Sequence, residues 1–238
     1  MISENQSGFI KERLIIENIL LTQEIVQSIK SKNKGGNVVI KLDMAKAYDR
    51  MSWQFLSAVL KRIGFSQEVI DLFMGTIDNV WYSIIINGNR NGFFTSSQRL
   101  KQVDPLSPSL FIIGAEVLTR LLNNLMHSDH FLPFSMSNRG PIISHLSYAD
   151  DIVIFTSGNS KSVKMIMKQI HMYERSSGQR MNKKKCFFLT GPSRINKIRD
   201  STGFLIESFL LNTLVVPFTL VKNEMSTLRR CFPRLLED

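Results

Sequence analysis

Cysteine is nearly missing from this chain: Cys186 and Cys231 are the only two in 238 residues, with no metal-type spacing and no framework of pairs. That excludes a disulfide-built secreted domain and a zinc module, and it fits a reducing compartment. No long apolar run is present either. The most apolar stretch, Phe209 to Val221, is too short to span a bilayer and is interrupted by Asn212 and Pro217. Residues Met1 to Gln6 lack the basic start and apolar stretch of a signal peptide. Internal repeats and low-complexity tracts are absent as well. The expectation is an intracellular protein, nuclear or cytoplasmic, with no membrane segment.

Acidic residues are also short, 20 against 30 Lys and Arg, which leaves a net charge of +10. The imbalance is local: 15 of the basic residues but only 6 of the acidic ones follow residue 158, so that region holds +9 of the +10. Such a surplus is the electrostatic footprint of a nucleic-acid binder, because each Lys or Arg set on a phosphate releases counterions. Lys161, Lys164 and Lys168, at helical spacing, fit a solvated helix face equally well. With 43% hydrophobic and 21% charged residues the chain is globular, long enough for one large domain or two small ones.

The most informative stretch is Ile142-Ile143-Ser144-His145-Leu146-Ser147-Tyr148-Ala149-Asp150-Asp151-Ile152-Val153-Ile154-Phe155-Thr156. Two runs rich in β-branched and aromatic residues flank a pair of acids, which predicts a hairpin with Asp150 and Asp151 at its bend. Two carboxylates about 4 Å apart repel by roughly 4 kcal/mol at an effective dielectric near 20. Asp is also an ordinary turn former. A third acid decides between these readings. Val38-Val39-Ile40-Lys41-Leu42-Asp43 reads as a buried strand that closes on a carboxylate, a costly place for an unpaired charge.

The remaining elements follow from periodicity. Residues 10 to 30 predict a helix with a stripe of Ile15, Ile19, Val26 and Ile29. Ser52 is an N-cap for a helix carrying Trp53, Leu56, Leu60 and Ile63 and ending at Gly64, and Ser66 opens another. Val80 to Asn87 is a strand, and Asn87-Gly88 marks a hairpin. Ser107 and Pro108 are placed as N-cap and first residue of a helix with Phe111, Ala115, Leu118, Leu122 and Leu125 on one face. A helix from Ser160 is broken at Ser177-Gly178-Gln179, after which Met181 to Leu189 turns into a strand; short helical pieces are expected at 195 to 199 and 224 to 230. The order predicts an α+β fold, one antiparallel sheet with helices on one face, in which Asp43 meets the Asp150 bend.

Three acids in one site, on a chain with a basic surplus, point to two-metal phosphoryl transfer, with ions about 3.5 to 4 Å apart. At this point the motifs become recognisable. Gln6-Ser7-Gly8-Phe9 leads into Ile16-Glu17-Asn18-Ile19-Leu20-Leu21, followed by Lys41-Leu42-Asp43-Met44-Ala45-Lys46-Ala47-Tyr48-Asp49-Arg50. Then come Asp104-Pro105-Leu106-Ser107-Pro108 with Leu110-Phe111, and His145-Leu146-Ser147-Tyr148-Ala149-Asp150-Asp151. Ser177-Gly178-Gln179 and Asn182 to Cys186 form a looser fifth block. Together, from about Ile2 to Gly191, they resemble the reverse transcriptase domain of LINE-type (non-LTR) retrotransposons, of the kind abundant in plants.

The resemblance implies a right-hand polymerase: partial fingers over 1–36, a palm over 37–190, and a basic, degenerate palm-to-thumb connection over 191–238. It implies an RNA-directed DNA polymerase, a nucleotidyltransferase using two Mg²⁺ ions, or Mn²⁺, with RNA template, DNA primer and deoxynucleoside triphosphates as partners. Asp43, Asp150 and Asp151 match the metal-binding carboxylates, and Tyr48 matches the side chain that screens the sugar 2′-hydroxyl. Gln102 matches a position lining the nucleotide and template pocket, and Lys185 the lysine that protonates the departing pyrophosphate, with Lys183 and Lys184 as neighbours of the same chemistry. The chain departs from the family at Glu12, Arg99, Val103 and Val215, which stand where it has glycine. Each lies one base change from a glycine codon, as in a decaying element copy. Met1 falls inside a family motif, so a truncated domain is expected, with a catalytically inactive remnant that binds nucleic acid as the alternative.

Overall fold

A computed structural model describes residues 1–78, 81–95, 100, 104–136 and 141–206. In chain order the elements are α1 (Ile15–Gln27), β1 (Asn37–Leu42), α2 (Ala47–Arg50), α3 (Trp53–Ile63), α4 (Gln67–Asp78), β2 (Trp81–Ile86) and β3 (Asn89–Thr95). After these come α5 (Ser107–Leu125), β4 (His145–Tyr148), β5 (Asp151–Ser157), α6 (Ser160–Ser177), β6 (Phe187–Thr190), α7 (Ile195–Thr202) and β7 (Leu205–Ile206). The pieces expected at 224 to 230 lie outside the described residues.

Alternation along the two central strands separates the core into two halves. Val38, Ile40 and Leu42 of β1 and Ile152 and Ile154 of β5 point to one face, where they pack with Leu56 and Leu60 of α3, Leu118 of α5 and Ile166 and Ile170 of α6. Val39, Val153 and Phe155 point to the other face and meet Ile25 of α1 and Phe134. Both strands are therefore near-continuous apolar runs, because both faces are covered. The sheet order is β4-β5-β1-β6-β7. All pairings are antiparallel except β6 with β7. The single antiparallel sheet expected from the sequence is thus corrected in two respects: β7 joins in parallel, and β2 and β3 form a separate two-stranded ribbon. Trp81, Ile84, Ile85 and Ile86 of that ribbon are exposed, so no packed face draws it into the main sheet.

Local signals set several boundaries as expected. Ser52 caps α3 by accepting from the Phe55 N–H at 3.4 Å, and Gly64 ends it in the left-handed region. Asn87 and Gly88 both take positive φ in the β2–β3 turn, as a two-residue hairpin requires. Ser107 is the first helical residue of α5 and not its N-cap, which is Leu106. Asp104 does the capping work by accepting from the Leu106 N–H at 2.8 Å, an Asx turn that leaves the Ser107 hydroxyl buried. α1 is turned only slightly from its expected stripe, of which Val26 and Ile29 still pack against the core. Thr22 and Ile25 are its buried residues, while Asn18 donates to the Ser147 carbonyl at 3.0 Å, so a polar contact to β4 sets the inward face.

Glu12, one of the positions where glycine was expected, adopts φ 66. A side chain there costs roughly 1 kcal/mol or more. Glu12→Gly is expected to stabilise the fold by about 1 kcal/mol in urea unfolding; an unchanged midpoint would mean the loop relaxes freely. A second prediction concerns His145, which is wholly buried in β4, with burial pushing its imidazole down to about 3. The unfolded chain binds that proton near pH 6.5, so stability should fall as pH drops from there toward 3. This one group contributes up to about 1.4 kcal/mol per pH unit. Urea titrations across that window should show the slope in the native chain and a shallower one in His145→Gln.

Candidate active site

The three acids sit where adjacent strands end. The β1–β5 ladder closes with Leu42 opposite Ile152, so one further step sets Asp43 across from Asp151. Asp151 is the first residue of β5 and pairs with Tyr148, while Ala149 and Asp150 make the turn between β4 and β5. The bend thus holds one of the two neighbouring acids, and the other opens the strand. Ala149 accepts φ 53, and Lys46, which caps α2 just after Asp43, accepts φ 52. Among the described residues these are two of five non-glycine positions with positive φ, and both flank the acids. Strain held beside carboxylates is the pattern of a functional site.

Charge repulsion at this end of the sheet is only partly balanced. Burial raises the Asp43 carboxyl, and the Asp151 charge raises it further; against them act the Lys185 ammonium, Lys41 and a hydrogen bond from Asn182. Asp150 is raised by burial, with its own backbone amide opposing, and then by Asp151 and Asp43. All three carboxylates therefore share one field. Lys41 Nζ lies 3.5 Å from Asp151 Oδ1 and eases the repulsion. The signal for this lysine in the sequence is its spacing: Lys41 on β1 and Asp43, one step past the strand end, are two apart along extended chain and so share a face.

The segment after α6 wraps the first acid. Asn182 donates its N–H to the Asp43 carbonyl at 2.9 Å, and the Lys185 N–H returns to the Asn182 carbonyl at 2.8 Å, a tight turn that brings Lys185 alongside. Cys186, fully buried, accepts from the Asp43 N–H through Sγ at 3.5 Å, and burial pushes its thiol up to about 11. It is a packing group, inert as a nucleophile.

Tyr48 is held on a different support. Its ring stacks on Phe111 of α5 with centroids 4.7 Å apart and planes at 20°. Burial and the Asp150 charge raise its hydroxyl, which places the ring beside the acids. The turn that carries it is anchored by the fifth sequence block: Gln179 donates to the Ala47 carbonyl at 2.6 Å and Ser52 donates its N–H to the Ser177 carbonyl at 2.9 Å. A Cβ at Gly178 would come within 2.7 Å of the Arg50 carbonyl oxygen, so only glycine permits this approach. Gln102 and Val103 lie outside the described residues.

As they stand, no three His, Cys, Asp or Glu side chains among the described residues form a group able to hold a metal ion alone. The donor chemistry nevertheless fits Mg²⁺. The site offers carboxylate oxygens under mutual repulsion, and Mg²⁺ is usually held by one or two carboxylates together with substrate phosphates, not by an all-protein cage.

A mainly antiparallel sheet with α3, α5 and α6 on one face, α1 on the other, and acids at the ends of its central strands is the arrangement of a polymerase palm. Comparison with known proteins agrees. The family model described as "Reverse transcriptase (RNA-dependent DNA polymerase)" matches residues 1–209, and the chain belongs to that family. It is 27% identical over 171 residues to the Retrovirus-related Pol polyprotein from type-1 retrotransposable element R2 of Popillia japonica, covering 72% of this chain and 27% of that protein. Over 67 residues it is 45% identical to an uncharacterised mitochondrial protein of Arabidopsis thaliana, covering 28% of this chain and 55% of that one. These relatives fit the LINE-type reading of the motifs. The fold resembles telomerase from Candida tropicalis, solved with the TWJ fragment of telomeric RNA, with a TM-score of 0.58 at 15% identity over 79% of this chain and 30% of that one. The chain spans about a quarter of the R2 polyprotein's length. Among the described residues no helix is long and apolar enough to cross a membrane.

A carboxyl that holds its proton more tightly folded than unfolded weighs against folding at neutral pH, and that cost fades as pH falls through its folded pKa. Asp150→Asn should therefore stabilise the metal-free protein at pH 7, with the gain shrinking as pH falls through the carboxyl's range. Thermal unfolding checks this; a lower Tm would mean the charge is already compensated.

Proposed function

We propose that this chain is an RNA-directed DNA polymerase domain that extends a DNA primer on an RNA template from deoxynucleoside triphosphates. The observation that carries the reading is the shared field of Asp43, Asp150 and Asp151 at one sheet end, in a chain of the reverse transcriptase family. These three would hold two Mg²⁺ ions, or Mn²⁺ in their place. Bound metal supplies a lowered pKa for the attacking 3′-hydroxyl and neutralises charge on the phosphoryl oxygens. Tyr48, its ring fixed by the Phe111 stack, screens the sugar 2′-hydroxyl. Lys185 carries a proton for the leaving pyrophosphate, and its influence on Asp43 supports that assignment over Lys183 and Lys184. Gln102 lines the nucleotide and template pocket. Residues 1–36 belong to the fingers, 37–190 to the palm and 191–238 to the connection toward a thumb, whose basic groups meet the template–primer phosphates. The compartment is intracellular, nuclear or cytoplasmic.

One observation favours a second reading. Glu12 occupies a left-handed position in place of glycine, as expected of an element copy that has lost selection. Under that reading the chain is an inactive remnant that at most binds nucleic acid. Primer extension on an RNA template with Mg²⁺ separates the two. The polymerase reading expects extension that Asp150→Asn lowers by about a hundredfold or more, a raised share of ribonucleotide incorporation in Tyr48→Ala, and faster extension in Val103→Gly. Template binding without extension by the native chain would establish the remnant.

A further inference from the structure

The turn that carries Asp150 is held from outside the main sheet by the first residues of the chain. Ser147 donates its N–H to the Asn5 carbonyl at 2.7 Å, and Ser7 donates its N–H to the Ser147 carbonyl at 3.0 Å, so this segment runs alongside β4 as a short parallel edge. Gln6, between them, is 3% exposed. Its Oε1 accepts from the Ala149 N–H at 3.0 Å and from the Gly8 N–H at 2.8 Å, while its Nε2 donates to the Ala149 carbonyl at 3.2 Å. Two N–H donors converge on one end of the amide, which fixes its orientation. One side chain thus satisfies both backbone groups of the residue immediately before Asp150, the residue that sits at φ 53. The approach is close enough that a Cβ at Gly8 would fall 2.3 Å from the Ala149 nitrogen, so Gly8 is what lets the segment reach the turn.

We propose that Gln6 is a positioning residue: by locking Ala149 in the left-handed region it aims the Asp150 carboxyl toward Asp43 and so sets the metal requirement of the site. Alanine does not choose that conformation by itself. Without the amide pair, the two Ala149 groups lose their partner and the turn drifts to negative φ, carrying Asp150 with it. The inference rests on the polymerase reading for its catalytic half, while the clamp itself is independent of it.

The test uses the full chain with Gln6→Met, which matches the length but offers no amide, and Gln6→Glu, which keeps the acceptor oxygen, where Gln6→Met does not fold. Ser3→Ala is the control, removing a hydroxyl of the same segment that bonds Glu116 and none of residues 147–151. Hydrogen exchange at the amides of residues 147–151 is expected to rise about tenfold in the Gln6 variants and to stay unchanged in the control. The Mg²⁺ concentration for half-maximal primer extension is expected to rise about tenfold, the usual size of a supporting-shell effect, with template–primer affinity unchanged. Adding Ala149→Gly, which takes positive φ freely, should restore much of the Mg²⁺ response. Unchanged exchange at the turn, or an unchanged Mg²⁺ requirement in an active chain, overturns the proposal. A native chain that extends nothing defeats the polymerase reading, and the exchange result then decides the clamp alone, for or against.

Discussion

Three carboxylates at one end of a buried sheet are the constraint on which the rest of this structure depends. Asp43 and Asp150 oppose folding, since burial raises both carboxyls and the Asp151 charge raises them further. The surrounding residues hold them in spite of that. Lys41 and Lys185 supply positive charge, Asn182 and Cys186 bind the backbone of Asp43, and two left-handed residues, Lys46 and Ala149, shape the turns. Such an arrangement trades stability for a cluster of charge of the kind that functional sites carry.

The supports come from distant parts of the chain and converge on one edge. Residues 3–8 brace the β4–β5 turn, the segment at 177–186 braces Asp43 and the Tyr48 turn, and α5 supplies Phe111 as the floor under Tyr48. Each motif of the family resemblance therefore has a mechanical meaning that its letters alone do not state. The serine that ends α6 and the glycine and glutamine that follow it let two backbones meet, and the glycine near the N-terminus does the same for the β4–β5 turn.

Much of the site was legible because its information is local. An acid at the end of an apolar strand, a pair of acids between two β-branched runs, and glycine or serine at helix ends all act within a few residues, and Asp43, Asp150, Ser52 and Gly64 stand at the strand end, turn and helix ends those signals mark, with Asp151 one step further, in β5. What was not legible depends on long-range packing. The inward face of α1 follows Asn18, whose target lies 129 residues away, and Gln6 meets its partner 143 residues away. The parallel docking of β7 is a two-residue strand with no periodicity to read. Glu12 is the instructive middle case: the missing glycine was visible in the sequence, and its backbone angle shows why glycine was wanted.

We propose that Asp43, Asp150 and Asp151 converge to hold two divalent ions around an incoming nucleotide. Anomalous scattering from Mn²⁺, in crystals of the chain with RNA template, DNA primer and a non-reacting nucleotide analogue, tests it directly. Two peaks about 3.5 to 4 Å apart are expected, each within bonding distance of Asp43 or of the Asp150–Asp151 pair. A nucleotide bound with no metal at these carboxylates, or metal bound elsewhere in the chain, would contradict it.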